Sequence, residues 1–457
     1  MPIQNGGLFG GVFARGGADT SDTAWLQAML DAEAGLARAL ERAGLVPAGS
    51  GAAVTAAAKA EDFDAAELGE LAALTGNPVP GLARELARKV DGPPARAVHR
   101  GATSQDILDT AAMLLARQAI DATKADLVVA AAAAADLARS HAATLMIGRT
   151  LLQQAVPVTF GVLAAGWLAG LDAAIDGLTQ ARNERLAVQF GGAAGTLASL
   201  GPDGIRVKAL LAAELDLPDP PLPWHTERLR IIDVATAMAR VTATLSKIAR
   251  DVTLLAQTEV AEVGEGAAVQ GTAGATGAPR RVVPVAPVAA IAILGCARQA
   301  PGLLATLVAS AEQEHQRAAG AWHAEWQPFG HLLQIASSAA AWANDLLSHL
   351  GVDSAKMAAN LTAAGGLPLT ERVTALLRNA LGGPQAHDLV TTAAARAAAS
   401  GLPLRDVLLA SGELEDRLAQ AGIGQAQIEA ALDPAGYLGA SDDFITAALR
   451  AHESARC

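Results

Sequence analysis

Long stretches of the chain combine helical spacing of apolar residues with an absence of helix breakers. Glycine and proline are plentiful, at 45 and 21 residues, yet neither occurs in 102–147 or in 224–263. If fully helical, each of these stretches would be on the order of 60 Å long at a rise of about 1.5 Å per residue. No segment alternates apolar and polar residues for long, as a half-buried strand does. The pattern therefore predicts an all-α fold built on long bundle helices.

The first helix is predicted to begin near Ser21 and Asp22, whose side chains are suited to cap a helix N-terminus. Apolar residues then repeat at a helical period on the face that we expect to be buried: Trp25, Met29, Leu36 and Leu40. The longest apolar stretch, 282–297, is short for a membrane span and contains Pro284 and Pro287. We expect a buried bundle helix there and no membrane partner.

Glycine and proline punctuate the C-terminal part of the chain. The segments 365–368, 382–384 and 401–403 each combine the two residue types, which is typical of loops between shorter helices. No internal repeat with a solenoid period is present. The predicted division is into an N-terminal helical domain at 1–110, a central long-helix bundle at 111–350 and a C-terminal helical domain at 351–457.

Composition limits the class of protein. With 457 residues, of which 51% are hydrophobic and 18% charged, the chain can bury a large core and is too apolar to be disordered. Because the charged fraction is below the usual quarter, we expect copies of the chain to cover part of each other's surface in an obligate oligomer. The net charge of −12 argues against nucleic acid as a partner, since binding a phosphate backbone needs a basic face.

Cysteine content and local motifs exclude several kinds of site. Cys296 and Cys457 are too few for a disulfide framework or a metal cluster, which fits a reducing cytoplasm. The N-terminus lacks the basic and apolar regions of a signal peptide. Neither a zinc-binding His-Glu-x-x-His pair, a Walker pattern nor a nucleophile elbow occurs. We therefore expect no metal site and no nucleotide-phosphate site.

Residues 98–110 place hydroxyl and amide side chains just before a predicted helix start. A helix N-terminus presents unpaired N–H groups and the positive end of the helix dipole, so it can hold an anion without a formal positive charge. Thr103, Ser104 and Gln105 add neutral donors at this position, and His99 is close to them in sequence. The same residues also fit an ordinary helix cap, with Thr103 as the N-cap of a capping box.

Six segments of the chain resemble the fumarase/aspartase superfamily, in its 3-carboxy-cis,cis-muconate cycloisomerase branch. In chain order they are 98–106, 148–161, 189–201, 223–228, 322–326 and 432–439. The sequence Trp-His-Ala-Glu-Trp at 322–326 is the most specific to that branch. Because the matches span essentially the whole chain, the resemblance implies the all-α, three-domain fold of the family and its homotetramer.

In this superfamily, regions from three subunits meet to form each active site, so the resemblance implies a site that is shared between subunits. The residues implied to line the carboxylate pocket are His99, Thr103 and Ser104. Those implied to face it from a second subunit are Arg149, Thr150 and Gln153.

Two further pairs of residues resemble family segments near the same cleft. His225 and Arg228 lie at the predicted start of a long helix, where His225 fits a helix-start cap equally well. His315 and Arg317 resemble another such segment, and a solvated helix face would also explain them. These residues are therefore candidates for catalysis, in the case of His225, and for substrate binding, in the case of Arg228 and Arg317.

The third family signature is altered in this chain. The family has a flexible loop, Gly-Ser-Ser-x-Met-Pro-x-Lys-x-Asn-Pro, whose first serine transfers a proton and whose lysine and asparagine hold a carboxylate. Aligned on the prolines, residues 274–284 read Gly-Ala-Thr-Gly-Ala-Pro-Arg-Arg-Val-Val-Pro. Ala275 then replaces the serine, Arg281 the lysine and Val283 the asparagine.

These replacements differ in what they remove. Arg281 keeps the positive charge and can offer a forked pair of donors. Ala275 has no hydroxyl, and a general acid or base typically contributes a factor of about 10²–10⁴ to the rate. Thr276 is the adjacent hydroxyl and the candidate replacement. The glycines around this segment predict a lid that closes over substrate, and the alternative is a loop that has lost its role.

The resemblance implies a cofactor-free cycloisomerase that acts on a di- or tricarboxylate. One carboxylate of the substrate adds across its own double bond, giving 4-carboxymuconolactone in the breakdown of protocatechuate. The helix start at Thr103, with Arg149 and Arg281, would stabilise the developing charge, while Thr276 or a histidine delivers the proton. Two alternatives remain open: a lyase that eliminates a group β to a carboxylate, and a tetrameric scaffold without catalysis.

Overall fold

Helices make up most of the chain in the computed structural model, which describes residues 7–266, 286–410, 418–419 and 422–454. The α-helices in chain order are α1 (Gly10–Phe13), α2 (Asp22–Arg42), α3 (Ser50–Ala57), α4 (Ala65–Thr75), α5 (Val79–Lys89), α6 (Ser104–Ser140), α7 (Phe160–Glu184), α8 (Gly204–Leu215), α9 (Leu229–Leu255), α10 (Val288–Ala297), α11 (Ala300–Ala309), α12 (Ala321–Ser348), α13 (Ser354–Ala363), α14 (Thr370–Leu381), α15 (Gly383–Ser400), α16 (Leu404–Leu409), α17 (Gln425–Ala431) and α18 (Ser441–Ser454). The strands are β1 (Leu145–Thr150), β2 (Gln153–Thr159), β3 (Val263–Glu265) and β4 (Leu350–Val352). This predominance of helix confirms the predicted fold class.

The helices predicted from the sequence pattern are present. α6, with 37 residues, and α9, with 27, lie within the two stretches that lack glycine and proline. α2 begins where its cap predicts, because the Ser21 side chain accepts a hydrogen bond from the N–H of Ala24 at 3.3 Å. Met29, Leu36 and Leu40 of α2 are buried, with at most 3% of their surface exposed, whereas Trp25 is only half-buried. Local capping and periodicity thus set the position and the buried face of this helix.

Among the described residues, two short antiparallel strand pairs interrupt the helices, which the sequence pattern did not predict: the hairpin β1–β2, and a pair formed by strands distant in the chain. β1 pairs with β2, and β3 pairs with β4. Leu151 and Leu152 connect β1 to β2 with φ angles of 51° and 62°, in the left-handed region. A register shift precedes Arg149, and a Cβ on the neighbouring Gly148 would lie 2.4 Å from the carbonyl oxygen of Val156. Only glycine therefore fits at this irregularity, which sets the position of Arg149.

The chain divides into two compact units, each formed by three separate segments. Unit 1 consists of Met1–Ala130, Ala173–Ala249 and Ala289–Asp345. Unit 2 consists of Ala131–Asp172, Arg250–Val288 and Leu346–Cys457. The division into three consecutive domains with boundaries at residues 110 and 350 stays a prediction.

Each unit has its own apolar core. In unit 1 the core contains buried side chains from α2, α6, α9 and α12: Leu30, Leu36, Leu40, Ile107, Met113, Ile120, Met238, Leu245, Leu332 and Ile335. In unit 2, Ile147 of β1 packs with Leu361 and Ala364, and a second cluster joins α14 to α17. Burying a large apolar side chain contributes about 1.5–3 kcal/mol, so these clusters supply the main stabilising free energy.

Within the ranges that the structure describes, two segments are long and apolar enough to cross a membrane by length and composition alone: Phe160–Glu184 and Val288–Ala309. The second segment is broken, since α10 ends at Ala297 and α11 begins at Ala300. In the first, Trp167 is 1% exposed and its indole donates to Asp251 at 2.7 Å, as in a packed protein interior. Cys296 is buried on α10, where the sequence predicts a buried helix. Cys457 lies outside the described residues.

Candidate active site

The predicted site residue His99 is held by a buried carboxylate in unit 1. Glu33 of α2, which is 0% exposed, accepts a hydrogen bond from the backbone N–H of His99 at 2.8 Å, and its other oxygen lies 2.6 Å from Nδ1 of the ring. His99 has a φ of 57°. Non-glycine residues rarely adopt this left-handed conformation, which costs about 1–3 kcal/mol and is concentrated at functional sites. Glu33 therefore fixes both the backbone and the ring of His99.

The surroundings of His99 favour its protonated form. Burial lowers the pKa of His99, but the hydrogen bond and charge of Glu33, together with the charge of Asp106, raise it more, so that the pKa lies above its ordinary value. The interaction of protonated His99 with Glu33 contributes its full stability below the pKa of about 6.5 that His99 has in the unfolded chain. This contribution is lost as the pH rises through the raised pKa of His99 in the folded chain. More of His99 is therefore protonated at neutral pH than of a free histidine.

Asp106 joins the start of α6 to two other segments of unit 1. Its Oδ1 accepts from the N–H of Gly191 at 2.9 Å and lies 2.7 Å from Nε2 of His225. Its Oδ2 accepts from the N–H groups of Gly192 at 2.8 Å and Thr103 at 2.9 Å. The bond from Thr103 is one arm of the capping box that the sequence predicts. The same carboxylate thus caps α6 and orients His225.

His225 is buried, with 4% of its surface exposed. Its backbone carbonyl accepts a hydrogen bond from Nε2 of Gln105 at 2.7 Å, while its ring is bound by Asp106. Among the described residues, the ring accepts no hydrogen bond from a backbone N–H of α9. The alternative that His225 caps the start of that helix is therefore not supported. A Cβ at Gly191 would lie 2.9 Å from Cε1 of this ring, which explains why a glycine is needed beside it.

Arg228 lies in a buried network of charges. Its Nη1 and Nη2 donate to Asp109 at 2.8 and 3.0 Å, and its Nε and Nη2 donate to Glu325 at 3.0 and 2.6 Å. Gln105 and Trp322 also donate to Asp109, at 3.1 and 3.0 Å. Burial raises the pKa of Glu325, and Arg228 opposes this only in part, so the pKa stays above its ordinary value. This geometry favours a positioning role for Arg228, whose role as a substrate ligand stays a prediction.

Arg317 brings a cation to the predicted anion site. Its Nη1 donates to the hydroxyl of Thr103, immediately before Ser104, where α6 begins. Residues 310–320 lie between α11 and α12, so the alternative of a solvated helix face does not hold for Arg317. The helix dipole, the hydroxyl and the guanidinium together make this end of α6 strongly favourable for a carboxylate.

The residues predicted to act from a second subunit lie together on the hairpin β1–β2, in unit 2. The Nη1 and Nη2 of Arg149 donate to Glu262 at 2.8 and 2.7 Å. Thr150 and Gln153 are exposed and pair across the hairpin end. A cavity of about 790 Å³ is lined by Arg149, Thr150 and apolar residues of the hairpin and of α9. These three predicted residues therefore share one exposed edge.

The remaining predicted residues, Thr276 and Arg281, lie outside the described residues together with Ala275 and Val283. Among the described residues, no group of three or more histidine, cysteine or acidic side chains is placed to hold a metal ion.

Sequence reasoning missed the carboxylates that hold the predicted cations and histidines: Glu33, Asp109, Glu262 and Glu325. Two of them carried a signal, because Glu325 belongs to the Trp-His-Ala-Glu-Trp segment and Asp109 lies within the stretch 98–110. Glu33 lies 66 positions from His99, and Glu262 lies 113 positions from Arg149, so no local spacing could reveal those pairs.

Two family models match the chain. A model described as "Lyase" matches residues 19–302, and one described as "Adenylosuccinate lyase C-terminus" matches residues 366–448. Together they cover residues from both units.

Individual proteins are similar over nearly the whole chain. A 3-carboxy-cis,cis-muconate cycloisomerase of Bradyrhizobium diazoefficiens is 44% identical, with 94% of each chain covered. A nitrosuccinate lyase of Streptomyces davaonensis is 43% identical, with 94% of this chain and 91% of the relative covered. The crystal structure of a 3-carboxy-cis,cis-muconate lactonizing enzyme from Pseudomonas putida superposes with a TM-score of 0.88 at 37% identity, covering 98% of this chain and 100% of that one.

Proposed function

Because the chain belongs to the fumarase/aspartase superfamily, in its 3-carboxy-cis,cis-muconate cycloisomerase branch, we propose that it is an enzyme that converts 3-carboxy-cis,cis-muconate to 4-carboxymuconolactone. One observation on the site carries the proposal. Around the start of α6, the Arg317–Thr103 contact, the His99–Glu33 pair and the His225–Asp106 pair converge. This arrangement suits a substrate that presents carboxylates and accepts a proton on carbon.

In the proposed mechanism, a substrate carboxylate binds at the N-terminus of α6, where Ser104 and Arg317 supply donors. Another carboxylate oxygen of the same molecule attacks the double bond, so that a C–O bond forms and the π electrons move toward the bound carboxylate. Protonated His99 then delivers its proton to the adjacent carbon, which completes the lactone. Glu33 stabilises the imidazolium before transfer, and no cofactor is needed.

A complete site needs further copies of the chain in this proposal. Arg149, Thr150 and Gln153 would reach the substrate from a neighbouring subunit of a cytoplasmic homotetramer. We expect light scattering to give the mass of four chains. We also expect a mixture of His99→Gln and Arg149→Ala variants, reassembled together, to regain activity that each lacks alone. Mixed tetramers as inactive as their parents would contradict a shared site.

The activity is tested by mixing the purified protein with 3-carboxy-cis,cis-muconate and following the loss of diene absorbance. We expect conversion by the unmodified protein. Conversion that collapses in Thr276→Ala would assign the proton transfer to Thr276, whereas conversion that persists supports His99. No conversion at high enzyme concentration would contradict the cycloisomerase proposal.

A second candidate is elimination of a group β to a carboxylate, which the 43% identity to a nitrosuccinate lyase favours. In that reaction a base removes a proton from carbon, nitrite leaves, and fumarate forms. Supplying 2-nitrosuccinate to the same preparations and measuring nitrite separates the two reactions. Nitrite release without loss of the diene would show that the chain is a lyase. If both signals are absent, the alternative of a scaffold without catalysis remains.

A further inference from the structure

The guanidinium of Arg149 is held along its Nη1–Nη2 edge, where Nη1 also donates to the carbonyl oxygen of Ile147 at 3.5 Å. Its Nη1 and Nη2 meet the two oxygens of Glu262 end-on, at 2.8 and 2.7 Å. The Nε–H and the second Nη2–H, which form the other fork of the guanidinium, have no partner among the described residues. The side chain keeps 27% of its surface exposed. A planar guanidinium fixed along one edge presents a second fork that matches a carboxylate in geometry and charge.

Glu262 is itself fixed and inaccessible. It is 0% exposed, its N–H donates to the carbonyl of Leu255 at 2.9 Å, and its carbonyl accepts from the N–H of Asp353 at 2.9 Å. Asn360 of α13 donates from Nδ2 to Oε1 of Glu262 at 2.8 Å, and also to the carbonyl of Val260 at 2.8 Å. Glu262 therefore cannot reach a ligand and can act only through Arg149.

We propose that Glu262, supported by Asn360, is a positioning residue that aims the free fork of Arg149 at a substrate carboxylate. The inference rests on the proposed function in one respect, namely that the substrate carries a carboxylate for Arg149 to bind. An arginine side chain has many rotamers, and holding it in one of them lowers the entropy lost on binding. A glutamine at position 262 would place N–H donors against the N–H donors of the guanidinium. Fixing Arg149 in this position therefore requires the carboxylate.

The test measures binding of propane-1,2,3-tricarboxylate to the 457-residue chain by calorimetry, which needs no turnover. Removing a residue that hydrogen-bonds to a metal-ligating side chain typically weakens metal binding about 10- to 100-fold. Glu262 holds Arg149 in a comparable way, so we expect Glu262→Gln to raise the Kd for the tricarboxylate about tenfold. In an Arg149→Ala background, the same substitution should add nothing, because Glu262 acts through Arg149. Asn360→Ala should weaken binding in the same direction, and it replaces the first variant if Glu262→Gln fails to fold.

A matched control is Glu214→Gln in unit 1. Glu214 accepts from Arg38 at 2.7 Å and from Arg42 at 2.8 Å, so this change breaks a comparable pairing outside the predicted site. We expect it to leave Kd unchanged. The inference is overturned if Glu262→Gln leaves the Kd unchanged, or if its effect adds fully to that of Arg149→Ala. It is also overturned if the unmodified protein does not bind the tricarboxylate. Binding without turnover of muconate or nitrosuccinate would overturn the proposed function alone.

Discussion

Replacing Arg228 with methionine is expected to lower the free energy of unfolding by about 3–5 kcal/mol, because it leaves two buried carboxylates without their counter-charge. Asp109 and Glu325 are 2% and 3% exposed, and Arg228 is 2% exposed between them. Gln105 and Trp322 would still donate to Asp109, but neither carries a charge. Urea unfolding at a fixed protein concentration measures the change, since an oligomer's stability depends on concentration.

The loss in Arg228→Met should be smaller at pH 5 than at pH 8. A carboxyl with a raised folded pKa contributes its full stability below the unfolded value, and this contribution is lost as the pH rises through the folded value. Burial already raises the pKa of Glu325, and removing Arg228 removes the main opposing influence. At lower pH the variant can therefore neutralise Glu325 by protonation.

The control for this prediction is Arg182→Met. Arg182 pairs with Asp121 at 2.6 Å, but the two side chains are 37% and 47% exposed. Surface pairs contribute about 0–1 kcal/mol, so the expected loss is at most that large. Equal losses in the two variants, or an Arg228→Met protein as stable as the unmodified one, would show that the buried network does not hold unit 1 together.

Substituting His99 with glutamine should lower kcat for lactone formation by about 10²–10⁴-fold, the usual contribution of a general acid. The unmodified enzyme should lose activity as the pH rises through the raised pKa of His99, because the proton donor must be protonated. The His99→Gln variant should lack this decline. Glutamine can still donate to Glu33, so the variant keeps a hydrogen bond from an uncharged donor at this position.

His323→Gln provides the control, since His323 is an exposed histidine whose Nε2 lies 2.9 Å from the carbonyl oxygen of Gly76. We expect its kcat and pH profile to match those of the unmodified enzyme. If His99→Gln retains the rate while His225→Gln loses it, the proton donor is the histidine bound to Asp106.

Much of the fold could be predicted from the chain because its signals are local. The lack of breakers in 102–147 and 224–263 anticipated α6 and α9, and Ser21 marked the start of α2. The hairpin β1–β2 was missed because its strands have only six and seven residues and no sustained alternation of burial. A short strand depends on its partner strand for hydrogen bonds, and pairing is a tertiary property.

By itself, the sequence determined the long-helix fold, the donors at the start of α6 and the resemblance to a family, since caps, periodicity and motifs act over a few residues. Only the tertiary structure decided which carboxylate holds each cation or histidine. Glu33 meets His99, Glu325 meets Arg228, and Glu262 meets Arg149, across 66, 97 and 113 positions. The physical reason is that burial makes an opposite charge necessary, while packing, and not spacing along the chain, selects the residue that supplies it.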